Sequence, residues 1–151
     1  MKTRTENVID SIERTLLNLK GAGCLIMGDI NCRIKLGEDF VRDRDDEHSP
    51  INTNAYSKDY DTIYRQNMDK TTIDQQGKKI LELGKYSSLR ILNGRTNGDE
   101  SGKFTRYPRN LGDSPIVISY ALCDPDLIPK IYSFSVLPYT GLSDHCCISA
   151  N

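Results

Sequence analysis

The chain has 151 residues and 17.0 kDa, the size of one ordinary domain. Its 20 basic and 21 acidic side chains nearly cancel, which excludes the global positive field of a protein that holds nucleic acid non-specifically. A hydrophobic fraction of 37% and a mean hydropathy of −0.52 describe a soluble globular protein with long polar loops. No apolar run approaches the ~20 residues of a membrane helix, and no signal-peptide core follows Met1, so no membrane association is expected. The cysteines Cys24, Cys32, Cys123, Cys146 and Cys147 are scattered and include no C-x-x-C pair. They read as small core residues of a protein in a reducing, intracellular compartment, and not as a disulfide or zinc framework.

In chain order, residues 7–19 set Val8, Ile9, Ile12, Leu16, Leu17 and Leu19 at helical spacing, and Gly21-Ala22-Gly23 closes that helix. Cys24-Leu25-Ile26-Met27 is an uninterrupted apolar run, expected to be a strand buried on both faces. Residues 35–70 read as a long loop whose charge run Asp43-Arg44-Asp45-Asp46-Glu47 is a solvated surface. Asp74 suits the N-cap of a helix running through Ile80, Leu81 and Leu83 to Tyr86. Leu89-Arg90-Ile91-Leu92 follows as a strand, and residues 93–102 are turn chemistry almost throughout.

Lys103-Phe104-Thr105-Arg106-Tyr107 alternates polar and aromatic residues, as a half-buried strand does. A polar turn over residues 108–115 leads into a buried strand over 116–122. Asp124 followed by Pro125 predicts a short capped helical turn. Residues 131–136 and Cys146-Cys147-Ile148 supply the last strands. The expectation is one mixed α/β unit, without internal repeat or linker, whose later strands are antiparallel.

Two places put polar residues at strand edges. Gly28-Asp29-Ile30-Asn31 follows the first apolar run, and in an extended chain Asp29 and Asn31 would face the same side. A carboxylate binds a hard cation, an Asn amide both donates and accepts, and the carboxyl end of a buried strand is where α/β sheets place ligands. By composition the same four residues also read as a turn. Ser143-Asp144-His145 precedes the last strand, where Asp144 and His145 would diverge; alone they read equally as a capping Asp beside a surface imidazole. Together, acids, an amide and an imidazole are the parts of metal-assisted phosphodiester hydrolysis.

At these residues the chain resembles a known family. Gly28-Asp29-Ile30-Asn31-Cys32-Arg33 is similar to the GDFNAR motif of the endonuclease/exonuclease/phosphatase superfamily, the DNase I-like fold, and Ser143-Asp144-His145-Cys146-Cys147-Ile148 to its closing SDHCPI motif. Residues 77–83, residues 89–95 and Gly102-Lys103-Phe104-Thr105 resemble the G-x-x-LLEL, LxILNGR and G-x-FT segments of the branch found in LINE-type retrotransposons.

The resemblance implies a DNA endonuclease dependent on Mg²⁺, with Mn²⁺ as a substitute. It implies that Asp29 positions or activates the attacking water and that Asn31 helps hold phosphate and water. Asp144 would be the metal-side carboxylate and His145 the imidazole on the scissile phosphate. Asn93 lies in a matched segment and takes no catalytic role.

The departures from the family pattern are also specific. The family Asp that holds the catalytic His is Ser119 here, and a hydroxyl cannot stabilise an imidazolium as a carboxylate does. The family Asn three residues before the conserved-motif Gly is Asp74, which adds negative charge. Nothing before Asp29 matches the half of the family domain that carries its metal-binding Glu. Residues 1–151 are therefore expected to form a partial domain, the C-terminal sheet and helices of a four-layer α/β sandwich. The resemblance predicts impaired endonuclease activity. The alternatives are an inactive retroelement-derived remnant and a phosphatase of the same superfamily. A missing half also implies self-association through an exposed sheet face, and a DNA substrate implies an intracellular protein with access to the nucleus.

Overall fold

A computed structural model describes residues 4–19, 23–40, 64–110 and 112–151. Both expected helices are present, α1 (Arg4–Asn18) and α2 (Gln75–Tyr86). Asp74 caps α2, its carboxylate accepting the Gly77 N–H at 2.6 Å, a contact of a kind worth about 0.5–2 kcal/mol. The buried side of α2 carries Ile80, Leu81 and Leu83, while Lys78, Lys79 and Glu82 are exposed. No helix among the described residues is long and apolar enough to cross a membrane.

Two antiparallel sheets complete the fold. β1 (Leu25–Asp29), β2 (Arg90–Ile91) and β3 (Ser119–Cys123) form the first, in the order β1-β3-β2. β4 (Phe134–Val136) and β5 (Ile148–Ala150) form the second. A 3-10 helix, Pro125–Lys130, lies between β3 and β4. Asp124 does not cap it; its carboxylate instead accepts the Cys24 N–H and so closes the far end of β1 against β3.

Side chains alternate along β3, and each set meets a different core. Tyr120 and Leu122 pack with Ile9 of α1, Ile80 and Leu83 of α2, and Ile30, Cys32 and Ile34. Ala121 and Cys123 pack with Leu92, with Phe134 and Val136 of β4, and with Cys146. The chain is thus a mixed α/β arrangement with β3 buried between helices on one side and the β4–β5 sheet on the other.

β1 departs from its expected burial on both faces. It is an edge strand of the first sheet among the described residues, and Leu25 and Met27, on the same face as Cys123 and Ala121, remain exposed. Nor is the segment over 103–107 a strand. It runs between two chain segments and meets each by a single bridge, Arg106 with Ile116 and Arg106 with His145. The last strand begins at Ile148 and not at Cys146, because the Cys146 N–H is already taken by the Thr105 carbonyl at 2.8 Å.

The charge run at 43–47 lies outside the described residues. The described ends of that long segment are core, with Asp39, Phe40, Arg65, Asn67 and Asp69 all buried. Asp39 receives Arg95 in a two-pronged ion pair at 2.8 and 3.0 Å and also accepts the Ile91 N–H at 2.6 Å. Arg65 donates to the carbonyls of Lys35 and Gly37. The backbone at 66 presses on two glycines: a Cβ at Gly94, whose φ is +76°, would sit 1.8 Å from the Gln66 carbonyl oxygen. Only glycine satisfies both that dihedral and that approach.

All five cysteines are free thiols. Cys32, Cys123 and Cys146 are core residues as expected, whereas Cys24 is half-buried and Cys147 exposed. Burial, with the nearby carboxylates Asp74 and Asp29, pushes the Cys32 thiol up to about 12. Cys123 is likewise pushed up to about 12, chiefly by burial.

Candidate active site

Cross-strand register brings the candidate residues into one place. Asp29, the last residue of β1, lies directly opposite Ser119, the first of β3. The chain then turns, because Asn31 adopts the left-handed conformation with φ +52°, which Asn tolerates better than most residues. Its N–H is shared between Asp29 Oδ1 at 2.9 Å and the Ile118 carbonyl at 3.1 Å. This turn corrects the expectation that Asp29 and Asn31 occupy one face of an extended strand. It also settles the carboxylate: Oδ1 is held by the backbone, and Oδ2 stands 3.9 Å from His145 Nε2.

His145 arrives from the other end of the chain. Its N–H is accepted by Ser143 Oγ at 3.1 Å, and its Nδ1 lies 3.5 Å from Ser119 Oγ. The imidazole therefore stands between Ser119 on one nitrogen and Asp29 on the other. The Asp29 side chain is 49% exposed and that of His145 32%, so both are open to a solvent molecule or a substrate. At 3.9 Å the two do not hydrogen-bond directly. An oxygen ~2.8 Å from each fits about 2 Å off the line that joins them.

Ser119 is buried and fixed by its backbone. Its N–H donates to Thr105 Oγ1 at 3.0 Å, and its carbonyl accepts from Asn93 Nδ2 at 3.2 Å. Asn93 Oδ1 in turn accepts the Ala121 N–H at 3.0 Å. The Asn93 side chain thereby continues the ladder of β2, after Leu92 N–H has met the Ala121 carbonyl at 2.8 Å. Thr105 Oγ1 also accepts the Ile118 N–H at 2.9 Å, and its carbonyl takes Cys146 N–H. One buried threonine thus ties the segment of Ser119 to the segment of His145.

Asp144 belongs to a different contact. Arg106 Nε donates to its Oδ2 at 3.0 Å, and this hydrogen bond holds the carboxyl below the usual carboxylate range. Arg106 was not among the residues singled out from sequence; the only signal was its basic character inside the alternating segment over 103–107. Asp74, whose charge looked available to a phosphate, is used up structurally. Its two oxygens accept Gly77 N–H and Arg33 N–H, and so fasten the loop after Asn31 to the start of α2. A Cβ at Gly77 would come within 2.0 Å of the Arg33 carbonyl oxygen, which shows how closely that loop is drawn in.

Among the described residues no group of three or more His, Cys, Asp or Glu side chains gathers to hold a metal ion. The donor set still fits magnesium of the kind that keeps its waters and binds through one carboxylate plus substrate phosphate. Asp29 is the carboxylate open to a water carried by such an ion, since Arg106 engages Asp144. A separate groove between α1, α2 and the 3-10 helix is walled by Ile9, Glu13, Leu83, Tyr86 and Leu127 and includes none of these site residues.

Comparison with models of known protein families, with curated proteins and with solved structures finds no match for this chain.

Proposed function

We propose that this chain carries the chemistry of metal-dependent phosphodiester hydrolysis, as an endonuclease of the kind its motifs resemble, acting on DNA at reduced rate. The observation that carries the reading is the approach of Asp29 Oδ2 to His145 Nε2 at the edge of the first sheet. These residues are 116 apart in sequence by their numbering, and strand register and the Thr105 tie bring them together. The mixed α/β layering is compatible with the sheet and helices of a DNase I-like sandwich.

In this reading Asp29 Oδ2, aimed by the Asn31 turn, accepts a proton from the attacking water as its oxygen bonds to phosphorus. The bond to the leaving sugar oxygen breaks, and that oxygen takes its proton from solvent. His145 donates to a phosphoryl oxygen as charge builds in the transition state, the moment at which such a donor is most effective. Magnesium, when bound, neutralises phosphate charge and lowers the pKa of water. Ser119 orients the imidazole only loosely, since 3.5 Å is long for a hydroxyl–nitrogen hydrogen bond. That weakness is the physical basis for the reduced rate.

The test is relaxation of supercoiled plasmid in Mg²⁺ and in Mn²⁺, with EDTA, Asp29→Asn and His145→Ala as controls. Nicking that all three controls abolish is the expected result. Absence of nicking by the unaltered chain at high concentration would remove the proposal.

One observation favours a second reading, an inactive remnant: Arg106 neutralises the carboxylate that the resemblance gives to the metal. A phosphatase of the same superfamily remains the third reading, and hydrolysis of a phosphomonoester in place of plasmid would identify it. Self-association is part of the same proposal, because Leu25 and Met27 stand exposed on an edge strand. Light scattering of a monodisperse monomer would exclude it. An intracellular setting with access to the nucleus follows from a DNA substrate, and five free thiols are in keeping with it.

A further inference from the structure

Residues 103–109, Lys-Phe-Thr-Arg-Tyr-Pro-Arg, hold three cations, two aromatic rings and no carboxylate. Their fold gives this composition a direction. Thr105 and Arg106 are tied to the His145 segment, and Tyr107 N–H donates to the Asp144 carbonyl at 2.8 Å. The Tyr107 backbone therefore runs beside Asp144 and His145, and its ring packs against the core of β4 and β5. Phe104 meets it edge-on at 6.3 Å, packed on the core below. Tyr139 lies against Tyr107 with centroids 4.7 Å apart and planes 30° from parallel.

The outermost ring of this series is not covered. Tyr139 is 43% exposed, and Leu142 close by in the chain is 91% exposed. Half-buried Phe104 packs on the core, half-buried Tyr107 follows it edge-on, and exposed Tyr139 lies over Tyr107. Of the cations on this segment Arg106 is paired with Asp144 and Lys103 Nζ donates to the Gly98 carbonyl, while exposed Arg109 follows Tyr107 by two residues.

An exposed ring backed by a second ring, on a segment that carries exposed Arg109 and runs beside the His145 segment, matches the way proteins hold single strands: bases stack and the backbone meets positive charge. We infer that the Tyr107–Tyr139 stack is a base-stacking platform for single-stranded DNA, placed to receive the base next to the phosphate at His145. The inference rests on the phosphodiesterase reading for the role of that phosphate. It adds the substrate class. Inside a duplex both faces of a base are taken by its neighbours, so only a strand with a free base face can use Tyr139.

The experiment uses the whole chain and a 2-aminopurine-labelled single-stranded DNA oligonucleotide in EDTA, where no hydrolysis occurs. Binding is expected to quench the 2-aminopurine fluorescence. Tyr139→Ala is expected to abolish most of the quenching and weaken binding about 5- to 150-fold. Tyr139→Phe should bind as the unaltered chain does, and Tyr139→Leu should resemble the alanine variant, because the ring and not its bulk is required. Circular dichroism of each variant checks folding at this exposed position. No quenching by the unaltered chain, equal affinity of Tyr139→Leu and unaltered chain, or equal affinity for the matched duplex would each overturn the platform. Cleavage of single-stranded DNA in Mn²⁺ is scored separately: quenching without cleavage defeats the phosphodiesterase reading alone, and cleavage without quenching defeats the platform alone.

Discussion

Thr105 holds Ser119 in place: its side-chain oxygen accepts the Ser119 N–H at 3.0 Å and the neighbouring Ile118 N–H at 2.9 Å. The same residue's carbonyl anchors Cys146, next to His145. The serine and the histidine therefore keep their 3.5 Å relation through a residue that grips both segments by their backbone N–H groups.

Replacing Thr105 by valine keeps the shape and removes the acceptor. Two buried N–H groups are then left unsatisfied, at about 1–3 kcal/mol each. Urea denaturation is expected to show a loss of about 2–6 kcal/mol. Thr105→Ser, which keeps the hydroxyl, should recover most of it. A valine variant as stable as the unaltered chain would refute the role given to this hydroxyl.

Ser119→Asp restores a carboxylate behind His145 Nδ1. Loss of such an orienting Asp in a triad can cost ~10⁴ in rate, so the substitution is expected to raise plasmid nicking by about 10²–10⁴. The gain should vanish in Ser119→Asp/His145→Ala. An unchanged or lower rate in a folded variant would mean that imidazole orientation does not limit this site.

Asp39 and Arg95 are buried and paired, and breaking such a pair leaves a charge in the core. Asp39→Ala is expected to destabilise by about 3–5 kcal/mol. Adding Arg95→Met should return part of that loss, and the remainder reflects the Ile91 N–H that loses its acceptor. Denaturation of the two single variants and the double variant gives the coupling directly.

Arg106→Gln should release Asp144 toward the ordinary carboxylate range. A carboxylate depressed in the folded state stabilises it above the unfolded pKa, near 3.8, and that contribution is lost as pH falls through the folded value. The unaltered chain should therefore lose this contribution only in the acid region below about 3.8, and Arg106→Gln should lack it throughout. The checks are a carboxyl-carbon NMR titration of Asp144 and acid denaturation of both proteins.

Thiol reactivity should separate the cysteines by place. At about pH 8 Cys147, which is exposed, is expected to react rapidly with a disulfide reagent. Cys32 and Cys123, pushed up to about 12 and buried, should react only as fast as the protein unfolds. In urea all five should react. Fast labelling of Cys32 in the native protein would show that the core around Ile34 and Tyr120 opens.

The α2 helix was legible because its signals are local. A capping Asp and apolar residues at helical spacing act within one or two turns, so residue order alone specifies them. The antiparallel character of the later strands was also readable from short apolar runs separated by turn residues. Strand ends were not. β5 starts two residues later than its apolar run, since Cys146 is claimed by Thr105. β1 is half exposed because it is an edge strand, a property of its neighbours and not of Leu25 or Met27.

For the candidate site, the residue types at Asp29, Asn31, Asp144 and His145 stood out in the sequence, together with the chemistry those types allow. Tertiary structure decided which of them meet. Register set Asp29 opposite Ser119, a left-handed Asn31 aimed one carboxylate oxygen, and Thr105 drew in His145, while Arg106 took Asp144 away. By itself the sequence of 151 residues determined composition, near-neutral charge, the helices and the reactive groups, which depend on bonds and neighbours along the chain. Ångström-scale relations between residues a hundred positions apart depend on packing and hydrogen bonds among segments, and only the folded chain defines those.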